Sequence, residues 1–160
     1  MFDRVLNACA TLAALILAAI VVGIAMNVVL RNAFGAPIYG LLDLVEYGLL
    51  LVTFLGAPWV LSQSAHVVVD LVTGALPASK ARILARLMAL VGLLASLLMI
   101  WYAWEAAAIS FARGSKIRTA FIIPEWWVLS VMPLAFTLIA AEFARQILHP
   151  PTRGDAQSGL

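Results

Sequence analysis

Long charge-free runs, broken by short polar stretches, divide the chain into four apolar segments at about residues 5–30, 41–64, 84–111 and 124–145. Each holds the ~20 residues needed to cross a ~30 Å hydrocarbon core, so four transmembrane helices are predicted. In the first, Ala10, Ala14 and Ala18, and then Ala19 with Gly23, recur four apart. Such small-residue ridges allow close helix approach. Gly92 and Ser96 repeat the spacing in the third segment. Between the second and third segments the pattern changes. Val68, Leu71, Val72, Ala75 and Leu76 follow the i, i+3, i+4, i+7, i+8 rule, with His66, Asp70 and Thr73 on the other side. That predicts a short amphipathic helix lying in the membrane interface. Pro77 closes it, and Ser79 is placed to cap the next helix. The fourth segment opens after Pro124, a residue suited to a first helical turn. The expected fold is an all-α membrane protein: one four-helix membrane domain over residues 1–148 and a disordered tail over 149–160.

Composition agrees with this reading. Of 160 residues, 64% are hydrophobic and only 11% charged, against about a quarter charged in soluble domains. No room is left for a soluble domain beside the spans. The apolar run after Arg4 is far longer than the ~7–15 residues of a signal peptide core, so the first segment reads as a spanning helix. Cys9 is the single cysteine, which excludes an internal disulfide and a cysteine metal cluster. The net charge of +2 gives no ground for nucleic-acid binding. With both termini inside, Arg4, Lys80, Arg82, Arg86, Arg145 and Arg153 are cytoplasmic, and Arg31, Arg113, Lys116 and Arg118 lie outside. The positive-inside bias selects that orientation.

The second segment carries most of the candidate chemistry. Asp43 and Glu46 lie in its first turns, where the helix dipole favours carboxylates. Glu46, Thr53 and Ala57 share one face of polar and small residues, a face expected to meet protein, with Arg31 within reach of Glu46. His66 and Asp70, four apart, are placed to pair at the membrane surface. No acidic residue is expected at the midplane of a span, where a proton-coupled carrier keeps one. The run from Gly74 to Lys80 lacks the second glycine and the Ser or Thr of a phosphate-binding loop. No catalytic, cofactor or metal residues are assigned.

Arg31, Gly35, Glu46, the run Phe54-Leu55-Gly56-Ala57, His66 with Asp70, Pro77, Ile123-Pro124, Trp126 or Trp127, and Pro133 form an ordered pattern. It resembles the small membrane subunit of tripartite ATP-independent periplasmic (TRAP) transporters, the DctQ type, over most of the chain from Arg4 to Arg145. Leu42 or Val45 stands where that family would have an aromatic residue. The resemblance implies a role in a sodium-coupled transporter of the bacterial inner membrane that imports an organic acid-type solute. There a soluble periplasmic protein captures the substrate, a large membrane subunit carries it, and the small subunit extends the immobile scaffold. Arg31, Glu46, Thr53, Gly56, Ala57, His66, Asp70 and Pro124 are then the candidate interface residues. Arg113, Lys116 and Arg118 have two readings, as anchors to lipid phosphates or as a docking patch for the soluble binding protein. The competing reading of the whole chain is an independent four-helix membrane protein, a homo-oligomeric carrier or an accessory subunit of another complex.

Overall fold

The computed structural model describes the backbone of residues 2–73 and 78–148, with the side chains of all of these except 64–73, 78, 79 and 81. The elements are α1 (Phe2–Phe34), α2 (Leu41–Thr73), α3 (Ala78–Arg113), β1 (Lys116–Arg118), β2 (Ile122–Pro124) and α4 (Glu125–Leu148). The four helices are long and apolar enough to cross a membrane, so the expected fold class holds. α1 and α3 have 33 and 36 residues. At 1.5 Å per residue each is ~50 Å long, so both must tilt or project beyond a ~30 Å core.

Two glycines set where helices stop. α1 runs past Arg31 to Gly35, whose φ of 66° and N–H to the Arg31 carbonyl (3.1 Å) make a left-handed cap. At the end of α3, Gly114 has φ 63°, Gly114 N–H donates to the Phe111 carbonyl, and Ser115 N–H donates to the Ser110 carbonyl. This is a Schellman motif, which satisfies carbonyls a helix end would leave bare.

Two features differ from expectation. The backbone of α2 is helical without a break from Leu41 to Thr73, so among the described residues an amphipathic helix is not set apart from the second span. The side chains of His66 and Asp70, and residues 74–77 with Pro77, lie outside the described residues, as does the tail 149–160. The connection after α3 is also more ordered than a loop. β1 and β2 pair antiparallel, with Lys116 opposite Pro124, Ile117 opposite Ile123 and Arg118 opposite Ile122.

The helices stand in a row, in the order α1, α2, α4, α3. α3 and α4 share the most extensive contact, α1 packs on α2, and α2 meets α4. On α1 the covered positions are Leu6, Ala13 and Ile20, with Ile16, Gly23 and Asn27 half-covered, a three-four spacing like a coiled-coil seam. Gly48 of α2 lies so close that a Cβ there would meet Ile20 Cδ1 at 2.7 Å. Ala14, Ala18 and Ala19 are exposed, so only Ala10 and Gly23 of the expected small-residue ridge face protein. Large residues filled around a glycine on the partner helix, rather than two small faces, bring α1 and α2 together. In the third span the expectation holds better. Ser96 is buried, and a Cβ on Gly92 would land on the Phe143 ring of α4. The seam between α2 and α4 holds Phe54 and Phe136 edge to face at 6.2 Å.

Candidate functional site

Leu42, Glu46, Leu49, Thr53 and Val60 are exposed along α2, and Gly56 is half-exposed. Their spacing alternates four and three residues, apart from one full seven-residue interval broken by Gly56, so they form one straight stripe. A Cβ at Gly56 would meet nothing within 4 Å, and Ala57 beside it is half-buried. Thr53 Oγ1 donates to the Leu49 carbonyl of the preceding turn at 2.8 Å, so its hydroxyl needs no outside acceptor. Glu46 has no such relief. It lies five residues after Leu41, ~7.5 Å along the helix, inside the segment that spans the membrane. The ion pairs among the described residues join Arg145 to Asp3 and to Glu142. The expected Glu46–Arg31 pair does not form: Arg31 is exposed in the last turn of α1, and Glu46 points away from protein.

At the end of the molecule that carries the α1–α2 loop and the β-hairpin, the two connections are tied together. Asp43 Oδ2 accepts the Ala120 N–H at 2.6 Å, and the Tyr39 hydroxyl donates to the Ala120 carbonyl at 3.3 Å. Tyr39 and Phe121 meet edge to face at 6.4 Å. Gly40 has φ 72°, and a Cβ there would collide with the Phe121 ring, so glycine is required twice over. Glu125 accepts the Ser110 hydroxyl at 2.9 Å, and Asn27 Oδ1 accepts the Ile38 N–H at 2.7 Å. Pro124, the last residue of β2, is half-buried at this junction. Arg113, Lys116 and Arg118 are exposed on the same connection.

The opposite end, which carries the first turn of α1 and the last of α4, holds a group that the sequence reading missed. Glu142 is only 4% exposed. Its Oε1 accepts from Gln146 Nε2 at 3.1 Å, its Oε2 is buried with no hydrogen bond, and Arg145 Nη1 stands 3.8 Å from that oxygen. Arg145 itself is held by Asp3. The usable sequence signal was a lone acid in the last apolar turns before Arg145, which a basic residue three positions on can shield. Nearby, Trp59 Nε1 donates to Asn7 Oδ1 at 3.0 Å and fixes α1 against α2. No cluster of three or more metal-ligating side chains occurs among the described residues.

These features suit attachment more than chemistry: an exposed stripe on α2 that sets Glu46 and Thr53 among apolar residues, and bonds tying the helices together at both ends. A family model described as "Tripartite ATP-independent periplasmic transporters, DctQ component" matches residues 20–151. No curated protein sequence matches the chain.

Proposed function

The chain belongs to the family of DctQ components of tripartite ATP-independent periplasmic transporters, a multi-pass membrane component of such a transporter, and we propose that it docks through the exposed stripe of α2 onto the large transport subunit. The observation that carries this reading is Glu46, an exposed carboxylate in the membrane span with no ion-pair partner among the described residues. An ionisable side chain at that depth costs up to ~2.5–3.5 kcal/mol on insertion scales unless it finds a partner, and lipid supplies none. The open space over Gly56, beside Thr53 and Ala57, gives a second helix room to approach.

In this role the chain widens the static part of the transporter, while the large subunit carries substrate and sodium and a soluble binding protein delivers the solute. The family resemblance supports sodium coupling and an organic acid-type solute. The basic residues support an orientation in a bacterial inner membrane with both termini cytoplasmic, which puts the β-hairpin on the periplasmic side. The test is co-purification. Glu46→Gln, which keeps shape and hydrogen-bonding atoms, should retain the large subunit, whereas Glu46→Leu should release most of it. Equal retention by the parent and Glu46→Leu would remove the basis for placing the interface on this stripe.

A further inference from the structure

A groove of about 450 Å³ runs between α3 and α4 on the side of the row away from the α2 seam, with Trp104, Ala108 and Phe111 on one wall and Trp126, Pro133 and Leu134 on the other. Its two walls have the same length. On α3 it extends from Phe111 back to Ile100, and on α4 from Trp126 on to Thr137. Eleven residues at 1.5 Å each give ~16 Å, close to half of a ~30 Å hydrocarbon core. The groove therefore spans one leaflet, from the interface at the hairpin end to the bilayer midplane.

Apart from the indole N–H groups of Trp104 and Trp126, its lining is almost wholly apolar. Its two hydroxyls are occupied by their own helix: Ser130 donates to the Trp127 carbonyl at 2.8 Å and Thr137 to the Pro133 carbonyl at 2.7 Å. Ala107 and Ala108 leave the space, and the edge-to-face pair of Phe111 and Trp126 at 5.4 Å flanks the interface end. Such a slot fits a methylene chain and rejects a polar ligand, which would lose its hydrogen bonds.

Three exposed cations lie on the connection at this end of the groove. Lys116 lies across the ladder from Pro124, two residues before Trp126, and Arg118 shares its face of β1. Arg113 ends α3 two residues after Phe111. Among the described residues none of the three cations forms an ion pair. We propose that this groove is a lipid site: one acyl chain of an anionic phospholipid lies between α3 and α4, with its phosphate held by the Arg113–Lys116–Arg118 cations. This needs no large subunit and no binding protein, so it stands or falls apart from the transporter reading.

The test uses the full chain in nanodiscs, with Trp59, Trp101 and Trp127 replaced by Phe so that Trp104 and Trp126 report on the groove. Quenching by dibrominated phosphatidylglycerol is compared with quenching by dibrominated phosphatidylcholine. The expected result is a preference for the anionic lipid of about fivefold for each cation that reaches the phosphate, shrinking as salt is raised. Arg113→Gln, Lys116→Gln and Arg118→Gln together should bring the ratio to unity while quenching persists. Ala108→Phe, which fills the slot, should reduce quenching by both lipids. The triple variant lies on an exposed connection, so it remains informative if Ala108→Phe fails to fold. Equal quenching by the two lipids at low salt overturns the proposal.

Discussion

Removing Arg145 should destabilise the fold mainly through Glu142, and removing Glu142 should abolish most of that penalty. Glu142 Oε2 is buried without a hydrogen bond, 3.8 Å from Arg145 Nη1, with side-chain exposures of 5% for Glu142 and 48% for Arg145. At an effective dielectric of 20 that separation corresponds to about 4 kcal/mol of attraction. Half-exposure of the guanidinium lets water screen it, so about 2 kcal/mol is expected. Arg145→Gln should cost that amount, with little added by the exposed Asp3 contact. Glu142→Met works in both directions. It loses the Arg145 attraction and the Gln146 hydrogen bond, but it removes an orphaned buried oxygen that costs about 1–3 kcal/mol. The net change should stay within about 1 kcal/mol of the parent. In the Glu142→Met background Arg145→Gln should then cost under about 1 kcal/mol. Reversible unfolding of the four variants in mixed micelles, followed by circular dichroism, measures the cycle. If Arg145→Gln costs the same with and without Glu142, the arginine is not shielding that carboxylate and the reasoning fails.

Two further outcomes follow from the geometry. Gly40→Ala combines a left-handed backbone with a collision at Phe121, so it should cost at least about 1–2 kcal/mol in the same unfolding assay, whereas Gly56→Ala, facing open space, should cost nothing beyond its change in helix propensity. Single cysteines at Lys80 and Lys116, in a Cys9→Ala background, should be labelled from opposite sides of the membrane, and a membrane-impermeant maleimide added to intact cells should reach only the one at position 116. Labelling at position 80 from outside would invert the topology.

The spans were legible because charge-free windows of the right length have one explanation. Faces were less so. On α1 nearly every position is apolar, so hydrophobicity does not tell the covered side from the lipid side, and the Ala14–Ala18 ridge pointed the wrong way. The covered side is set by shape, Ile20 filling the space over Gly48, which only the paired structure reveals. On α2 the expected face of Glu46, Thr53 and Ala57 is exposed at Glu46 and Thr53, but the stripe continues through Gly56 rather than Ala57, because a carboxylate in an apolar run marks its own face only approximately. The absent pairing of Glu46 with Arg31 was not readable, since reach along the chain says nothing of which way two helices turn. The β-hairpin escaped notice because three-residue strands are too short to show an alternation. Glu142 escaped because a carboxylate one turn from Arg145 looks like an ordinary end-of-helix charge until its burial is seen.

The row of helices has a mechanical consequence. Its two halves, α1 with α2 and α3 with α4, meet mainly where α2 touches α4, with a smaller contact between α2 and α3. Such a seam is a natural hinge, and without reinforcement the halves would fold about it like a book. Each end of the hinge is clasped by a bond that crosses it: Asp43 and Tyr39 to Ala120 at one end, Asp3 to Arg145 at the other. A scissoring motion would have to stretch both clasps at once. The two clasps thus tie the paired helices into one panel at both ends.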